Sequence, residues 1–310
     1  MLLIIFILCG AYGALRIAAP PARPISSVRA AMLEDVKKEG GARAYAAFKA
    51  AYRARDFAAQ HSAAHLFGSV LYDVEGIHGI RVCDTDFNYG CFHGFIAEAV
   101  ATEGIDSVHE LSDACKAVER PAPCEHGIGH GLVEYLGPDK LTAALDACEN
   151  TYQADPIGGC RSGVFMEFNI PVSFGEDGQA VSSIRPHQGS GMYDPCPALD
   201  RKYQQSCYYS LPQWWNALNY SFPYAGTLCA DIKDSKNAQA CATGLGAIAG
   251  PASHYVVETA RTLCPDTLGE LKDLCSANVA AAFAFNADKK DDARELCAQV
   301  PVQFKKICGI

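Results

Sequence analysis

The sequence predicts an all-α fold, an α-solenoid of disulfide-stapled helical hairpins with a period of about 34 residues. Fourteen cysteines from Cys83 onward fall into short-range pairs. The second members of successive pairs lie 33, 36, 47, 34, 34 and 33 residues apart, which is close to the length of a helix-turn-helix repeat. Five of the pairs, those that end in Cys91, Cys124, Cys160, Cys241 and Cys275, are followed by an apolar stretch rich in small residues. Such units bury their apolar faces only by stacking on their neighbours.

The N-terminus, residues 1–19, is expected to be a signal peptide or a short N-terminal anchor. Its apolar run, Met1 to Ala14, ends in small residues and is too short to span a bilayer comfortably. Cys9 leaves a lipoprotein as a further alternative. Fifteen cysteines in 310 residues are atypical of a reducing cytosol, so we expect a secreted or periplasmic protein.

Residues 20–64 are expected to form a linker and an N-terminal helical cap. The Ala/Pro-rich start reads as a linker, and the following stretch has helical apolar spacing interrupted at Gly40 and Gly41. The repeat array then covers residues 65–310. The net charge of -9 argues against a nucleic-acid partner, and any membrane contact is expected only through an uncleaved N-terminal segment.

Each repeat unit is expected to contain two helices in a fixed order. A cysteine opens helix A, as in CFHGFIAEAV and CEHGIGHGLVEYL, and helix B ends in Ala-Cys or a close variant, as in LSDAC and ALDAC. Gly94, Gly127, Gly163 and Gly244 each follow the opening cysteine by three residues. A missing side chain at these positions would let helices pack closely.

Two disulfide patterns are compatible with this order. Pairing across each hairpin, such as Cys91 with Cys115, would leave Cys83 and Cys308 unpaired, whereas pairing across the short linkers uses all fourteen cysteines. The second pattern is therefore preferred. Its pairs are Cys83–Cys91, Cys115–Cys124, Cys148–Cys160, Cys196–Cys207, Cys229–Cys241, Cys264–Cys275 and Cys297–Cys308.

The recurring Ala-Cys, short linker and Cys with a following Gly resemble the cysteine-paired Sel1-like and tetratricopeptide-like repeat proteins of bacteria. The resemblance covers Cys83 to Cys308, although only the linker of the first pair has the family's usual length. It implies a right-handed superhelix with a concave surface, secretion, and a role in protein-protein interaction.

One unit departs from the period through an insertion at about residues 174–194, a Gly/Ser-rich stretch that is expected either to bind a ligand or to be a tolerated surface loop. The next unit is unusually aromatic. Its aromatic residues are candidates for a contact surface, with core filling as the alternative. The candidates are Tyr208, Tyr209, Trp214 and Trp215.

A histidine motif in the first units is the best candidate for chemistry. His126 and His130 are four residues apart, the spacing that lets two imidazoles on one helix face bind one metal ion. His93 occupies the position of His126 in the preceding unit, and equivalent positions of stacked helices lie about 10 Å apart. Further candidates are Glu98, Glu167 and Met166. Zinc or copper is the expected metal, and Met166 favours copper. Backbone-bonded or packed histidines are the structural alternative.

His61 and His65 form a second pair with the same spacing, in HSAAH. The stretch His65-Leu-Phe-Gly68 matches the Cys-x-x-Gly start of the repeats, which makes this helix a degenerate first unit. It would then stack beside the helix of His93, and a histidine-lined groove from His61 to His130 becomes geometrically feasible. Surface histidines on a capping helix are the alternative.

The sequence contains none of the common enzyme templates: GxSxG, GxxxxGK[ST], GxGxxG in a βαβ unit, HExxH and CxxC are absent. The leading expectation is therefore a scaffold that binds a protein, peptide or glycan through its concave groove. The first alternative is a metal-binding protein or metal-dependent enzyme with its site on the helices that start at Cys91 and Cys124. The second is a structural component of the cell envelope.

Overall fold

The computed structural model describes residues 25–152, 157–174, 180–185, 191–285 and 287–310. Within these ranges the regular secondary structure is helical apart from one antiparallel pair of three-residue strands, which confirms the all-α prediction. The α-helices are α1 (Ile25–Glu39), α2 (Gly41–Tyr52), α3 (Phe57–Glu75), α4 (Gly90–Glu103), α5 (Val108–Cys115), α6 (Pro121–Leu136), α7 (Leu141–Ala147), α8 (Cys160–Asn169), α9 (Arg201–Ala217), α10 (Phe222–Ala230), α11 (Ser235–Ala252), α12 (Val257–Arg261), α13 (Lys272–Phe285) and α14 (Lys290–Ala298). Short 3-10 segments, such as Gly76–Val82 and Asp86–Tyr89, lie between them.

The longer helices pack in chain order, α3 on α4, then α6, α8, α9, α11 and α13. Each brings fully buried apolar side chains to a continuous core, among them Phe67, Phe95, Ile128, Phe165, Leu211, Leu245 and Phe283. The shorter helices α5, α7, α10 and α12 connect consecutive members of this series, and α14 follows its last member. This packing order is the one expected for stacked hairpins, and the regular 34-residue solenoid stays a prediction.

Three helices form the N-terminal part. The expected interruption falls at Gly40, whose φ of 80° ends α1 before α2 begins. The expected boundary between cap and array, at residue 64/65, lies inside α3, so His61 and His65 share one continuous helix. The expected signal peptide or anchor, residues 1–19, lies outside the described residues. Of the helices in the described ranges, none has both the length and the apolar character needed to cross a membrane.

The seven disulfides predicted across the linkers are all present, which confirms the second pairing pattern. The paired Cα atoms are 5.4 to 6.0 Å apart. Each disulfide closes a loop of 8 to 12 residues, for which the chain-entropy model gives about 2 to 3 kcal/mol of stabilisation. The disulfides indicate an oxidising, extracytoplasmic environment.

The insertion begins with secondary structure that the sequence analysis did not anticipate. Strands β1 (Val172–Phe174) and β2 (Ala180–Ser182) form an antiparallel pair, with Val172 opposite Ser182. Strand β2 lies against α3. Residues 175–179 and 186–190 of the insertion lie outside the described residues.

Glycines bring the backbones of neighbouring helices into direct contact, as expected. A Cβ built on Gly94 would lie 1.8 Å from the His65 carbonyl oxygen, and one on Gly163 would lie 1.9 Å from that of His126. Gly244 approaches the Tyr209 carbonyl in the same way, at 1.9 Å. Gly127 differs, because its nearest neighbour is the Ile96 side chain at 2.9 Å. The α3–α4 and α6–α8 interfaces are therefore closer than the α4–α6 interface.

Two glycines on α6 test this interpretation. A Cβ on Gly129 would lie 2.0 Å from the Cys160 carbonyl oxygen, whereas one on Gly131 would lie 3.4 Å from its nearest neighbours. We expect Gly129→Ala to lower the free energy of unfolding by about 1 to 3 kcal/mol or more, because α8 must move away. Gly131→Ala should be neutral or slightly stabilising, since alanine favours helix. Denaturant unfolding with the disulfides intact measures both, and equal losses would contradict the close contact.

Candidate metal centre

Five histidines from three helices meet at the α3–α4–α6 interface. His61 and His65 lie on α3, His93 on α4, and His126 and His130 on α6. Ring centroids are 4.6 Å apart for His61–His65, 5.3 Å for His65–His93, and 4.8 Å for both His93–His130 and His126–His130. The structure therefore brings together all the histidines that the sequence analysis selected.

The nitrogen atoms of these histidines form two groups of three that share His93. One group is His61, His65 and His93, and the other is His93, His126 and His130; within each, one nitrogen per residue lies within 4.8 Å of the others. His93 and His130 are buried, while the other three are half-buried. Three imidazoles that converge in this way can hold a metal ion and leave a fourth position open.

Each pair on a single helix points its Nε2 atoms at one another. The Nε2 atoms of His61 and His65 are 3.1 Å apart, and those of His126 and His130 are 3.0 Å apart. Two nitrogen ligands at 2.0 to 2.1 Å from a tetrahedral ion would be separated by about 3.3 Å. A small outward rotation of the rings would therefore suffice to place an ion between the members of each pair.

In each pair, one ring is oriented by a hydrogen bond between its Nδ1 atom and an acceptor outside the cluster. The Nδ1 atom of His130 is 2.8 Å from Glu167 Oε2, and the Nδ1 atom of His61 is 2.8 Å from the Phe87 carbonyl oxygen. Because a carboxylate and a carbonyl only accept, each Nδ1 carries the hydrogen and donates it. The Nε2 atom then presents its lone pair to the cluster. This arrangement is typical of metal-binding histidines, whose second nitrogen donates to a carboxylate or carbonyl.

The Phe87 carbonyl reaches His61 through a strained turn. Phe87, Asn88 and Tyr89 have φ values of 53°, 53° and 64°, a left-handed conformation that costs non-glycine residues about 1 to 2 kcal/mol each. The turn lies within the short loop closed by the Cys83–Cys91 disulfide. Strain of this kind persists only where the surrounding structure imposes it, and it concentrates at functional sites.

Burial keeps four of the five histidines uncharged, namely His61, His65, His93 and His126. It lowers the pKa of His126 to about 3; the electrostatic effect of the neighbouring His130 adds to this, and a hydrogen bond with the Gly158 backbone opposes it. The pKa values of His65 and His93 are lowered well below their ordinary range by burial and then by neighbouring histidines. Burial also lowers the pKa of His61, against the hydrogen bond to Phe87. Neutral imidazoles are the form that binds metal ions.

The other candidate ligands lie outside the two groups of histidines. Glu167 is buried and hydrogen-bonds the far side of the His130 ring, so it positions a histidine. Glu98 is half-buried on α4, where burial and then repulsion from Asp73 raise its pKa, against attraction to Arg29. Met166 is half-buried on α8. In the described part of the chain, the groups of three converging donors consist of histidines.

The aromatic residues of α9 mainly fill the core. Trp214 and Trp215 are 1% and 0% exposed, and their indole nitrogens donate to the carbonyls of Arg185 and Met192. Tyr208 is buried and Tyr209 is half-buried. The interpretation of both tryptophans as a contact surface is thus corrected, because neither ring can reach a partner from these positions.

Two contributors to the site escaped the sequence analysis. The Phe87 carbonyl acts through the backbone, so its residue type gives no signal; only the turn-forming Asn88 and Gly90 in a short disulfide loop point to it. Gly90 itself lies against His61, since a Cβ there would be 2.7 Å from the His61 carbonyl oxygen and 3.1 Å from Nδ1.

Comparison of the chain with models of protein families, with curated proteins and with solved structures found no match. The resemblance to Sel1-like and tetratricopeptide-like repeats therefore stays a prediction, and the geometry of the histidines carries the functional argument.

The lowered pKa of His126 predicts a loss of stability in acid for the metal-free protein. Between about pH 6.5 and pH 3 the unfolded chain binds a proton at this residue and the folded chain does not, so stability is present above that range and falls as pH decreases, by up to about 1.4 kcal/mol per pH unit. We expect His126→Gln to reduce this pH dependence. Denaturant unfolding in a chelator at about pH 7.5 and 4.5 provides the measurement.

His109 provides the matched control, because its side chain is 75% exposed on α5. His109→Gln should keep the pH dependence of the wild type. If the two variants show the same change in unfolding free energy between the two pH values, burial of an uncharged His126 is not the cause.

Proposed function

We propose that this protein is an extracytoplasmic metal-binding protein whose histidine cluster holds a transition-metal ion at His93, His126 and His130, with Glu167 positioning His130. One observation carries the proposal. The Nε2 atoms of His126 and His130 lie 3.0 Å apart on α6, and the Nδ1 atom of His130 is 2.8 Å from the Glu167 carboxylate. The disulfides support a secreted or periplasmic location, because such bonds persist in oxidising compartments.

The donor set favours zinc or copper. Neutral imidazoles suit zinc, copper, nickel and iron, whereas calcium and magnesium prefer oxygen ligands. Three histidines leave a position at which the ion can bind water or a substrate. A site with an open position suits the capture or delivery of an ion. Three protein ligands are also the number found in catalytic zinc sites.

A scaffold that binds a protein, peptide or glycan remains a prediction from the repeat pattern. The two tryptophans that were candidates for its contact surface, Trp214 and Trp215, are buried in the core. The histidine cluster, by contrast, joins five residues from three helices, and three of its rings, those of His61, His126 and His130, have hydrogen-bond partners outside the cluster. Metal binding is therefore the function that the geometry supports best.

Elemental analysis of the untagged, oxidised protein tests the proposal after reconstitution with zinc or copper. We expect the wild type to retain metal and His126→Ala/His130→Ala to retain about one equivalent less. His109→Ala/His254→Ala removes two exposed histidines and should match the wild type. Wild type without metal, or a His126→Ala/His130→Ala variant that is folded and equally loaded, would refute the proposal.

The positioning role of Glu167 makes a separate prediction. Glu167→Leu removes the acceptor behind His130, so we expect metal affinity to fall about 10- to 100-fold. Glu167→Gln keeps an oxygen acceptor and should lose less. Glu98→Gln, a neutralised carboxylate on α4, should bind as the wild type does. Competition with a chromophoric chelator gives the affinities, and a large loss only in Glu98→Gln would reverse the two assignments.

A further inference from the structure

We propose that the cluster holds two metal ions, one between His61 and His65 and one between His126 and His130, with His93 as a ligand to both. The inference rests on the proposed function and adds a second metal position to it.

The five histidines do not converge on a single point. In the described part of the chain their nitrogens form two groups of three, and no larger group satisfies the same 4.8 Å separation. A zinc ion takes four ligands in most protein sites, so one ion would also leave at least one histidine without a role. Two ion positions account for all five residues.

The two outer pairs are built alike. Both consist of histidines four residues apart on one helix, with Nε2 separations of 3.1 and 3.0 Å. Both have one ring anchored through Nδ1 at 2.8 Å, to the Phe87 carbonyl in the first pair and to Glu167 in the second. The anchor in the first pair requires a strained left-handed turn, which a capping helix with incidental surface histidines would not need.

His93 lies between the pairs. Helix α4 packs against α3 on one side and α6 on the other, and the His93 ring is 5.6 Å from His61, 5.3 Å from His65 and 4.8 Å from His130 between centroids. Gly127 on α6 borders the ring, since a Cβ there would lie 3.5 Å from His93 Cδ2, at ordinary contact distance. An imidazole has nitrogens at two ring positions and so can contact two ions. With an ion on each nitrogen, the ring proton leaves to the solvent.

The first pair also differs in its surroundings. Glu167 places a carboxylate behind the second pair, whereas the first has a neutral backbone carbonyl. A carboxylate partner makes a histidine a stronger electron donor to a metal ion than a neutral carbonyl does. We therefore expect the position at His126 and His130 to fill first and the position at His61 and His65 to bind more weakly.

Zinc titration with elemental analysis and native mass spectrometry tests the stoichiometry on the full oxidised chain. We expect two equivalents for the wild type, and one each for His61→Ala/His65→Ala and His126→Ala/His130→Ala. His93→Ala should weaken both binding steps at least about 10-fold, as loss of a shared ligand requires. His109→Ala/His254→Ala, with two exposed histidines replaced, should keep two equivalents.

Saturation of the wild type at one equivalent would overturn this inference and leave the proposed function intact; absence of metal would overturn both. Two equivalents with only one step weakened by His93→Ala would overturn the shared ligand. Should the alanine variants fail to fold, copper(II) paramagnetic resonance on the wild type decides. Magnetic coupling between the first and second equivalents supports a shared histidine, and two independent copper signals contradict it.

Discussion

Direct contact between a backbone carbonyl and a glycine of the next helix determines where the histidines lie. The carbonyl of His65 meets Gly94 on α4, one residue after His93, and the carbonyl of His126 meets Gly163 on α8. These histidines therefore pack the helices with their backbones and contribute to the cluster with their side chains. No side chain larger than hydrogen fits at either glycine without separating the helices. The contact at Gly94 thus sets the distance between the imidazoles of α3 and α4, and the contact at Gly163 sets the distance between His130 on α6 and Glu167 on α8.

The cluster combines two kinds of restraint on its rings. On α6 a buried carboxylate orients His130, and on α3 a backbone carbonyl orients His61. The second restraint depends on three consecutive left-handed residues inside the Cys83–Cys91 loop. The disulfide that closes this loop therefore helps to maintain a backbone conformation that is unfavourable for these residue types. The disulfide in this unit thereby supports the site as well as the fold. Burial adds an electrostatic condition, since it keeps the His93 and His126 imidazoles neutral.

Much of this arrangement could be predicted because it follows from periodicity. Cysteine spacing predicts the helix order and the seven disulfides, and a four-residue spacing places His126 beside His130 on one helix face. The remainder depends on contacts between distant parts of the chain. A buried glutamate at helical spacing can ligate an ion or orient a ligand, and only the structure assigns Glu167 to the His130 ring. Aromatic density did not distinguish a surface from a core, and Trp214 and Trp215 belong to the core. None of the three left-handed residues of the strained turn is a glycine, so Asn88 and the following Gly90 are its only signals in the sequence.

The disulfide pattern has a consequence for biogenesis. Every bond joins a cysteine to the next cysteine along the chain, over 8 to 12 residues. If the array enters an oxidising compartment with its N-terminal end first, the correct partner is the first thiol to arrive after each unpaired one from Cys83 onward, and closing so short a loop costs little entropy. Oxidation that keeps pace with translocation would thus form native bonds in sequence, unit by unit. Such a chain has little need for disulfide isomerisation, even with fourteen cysteines in the array.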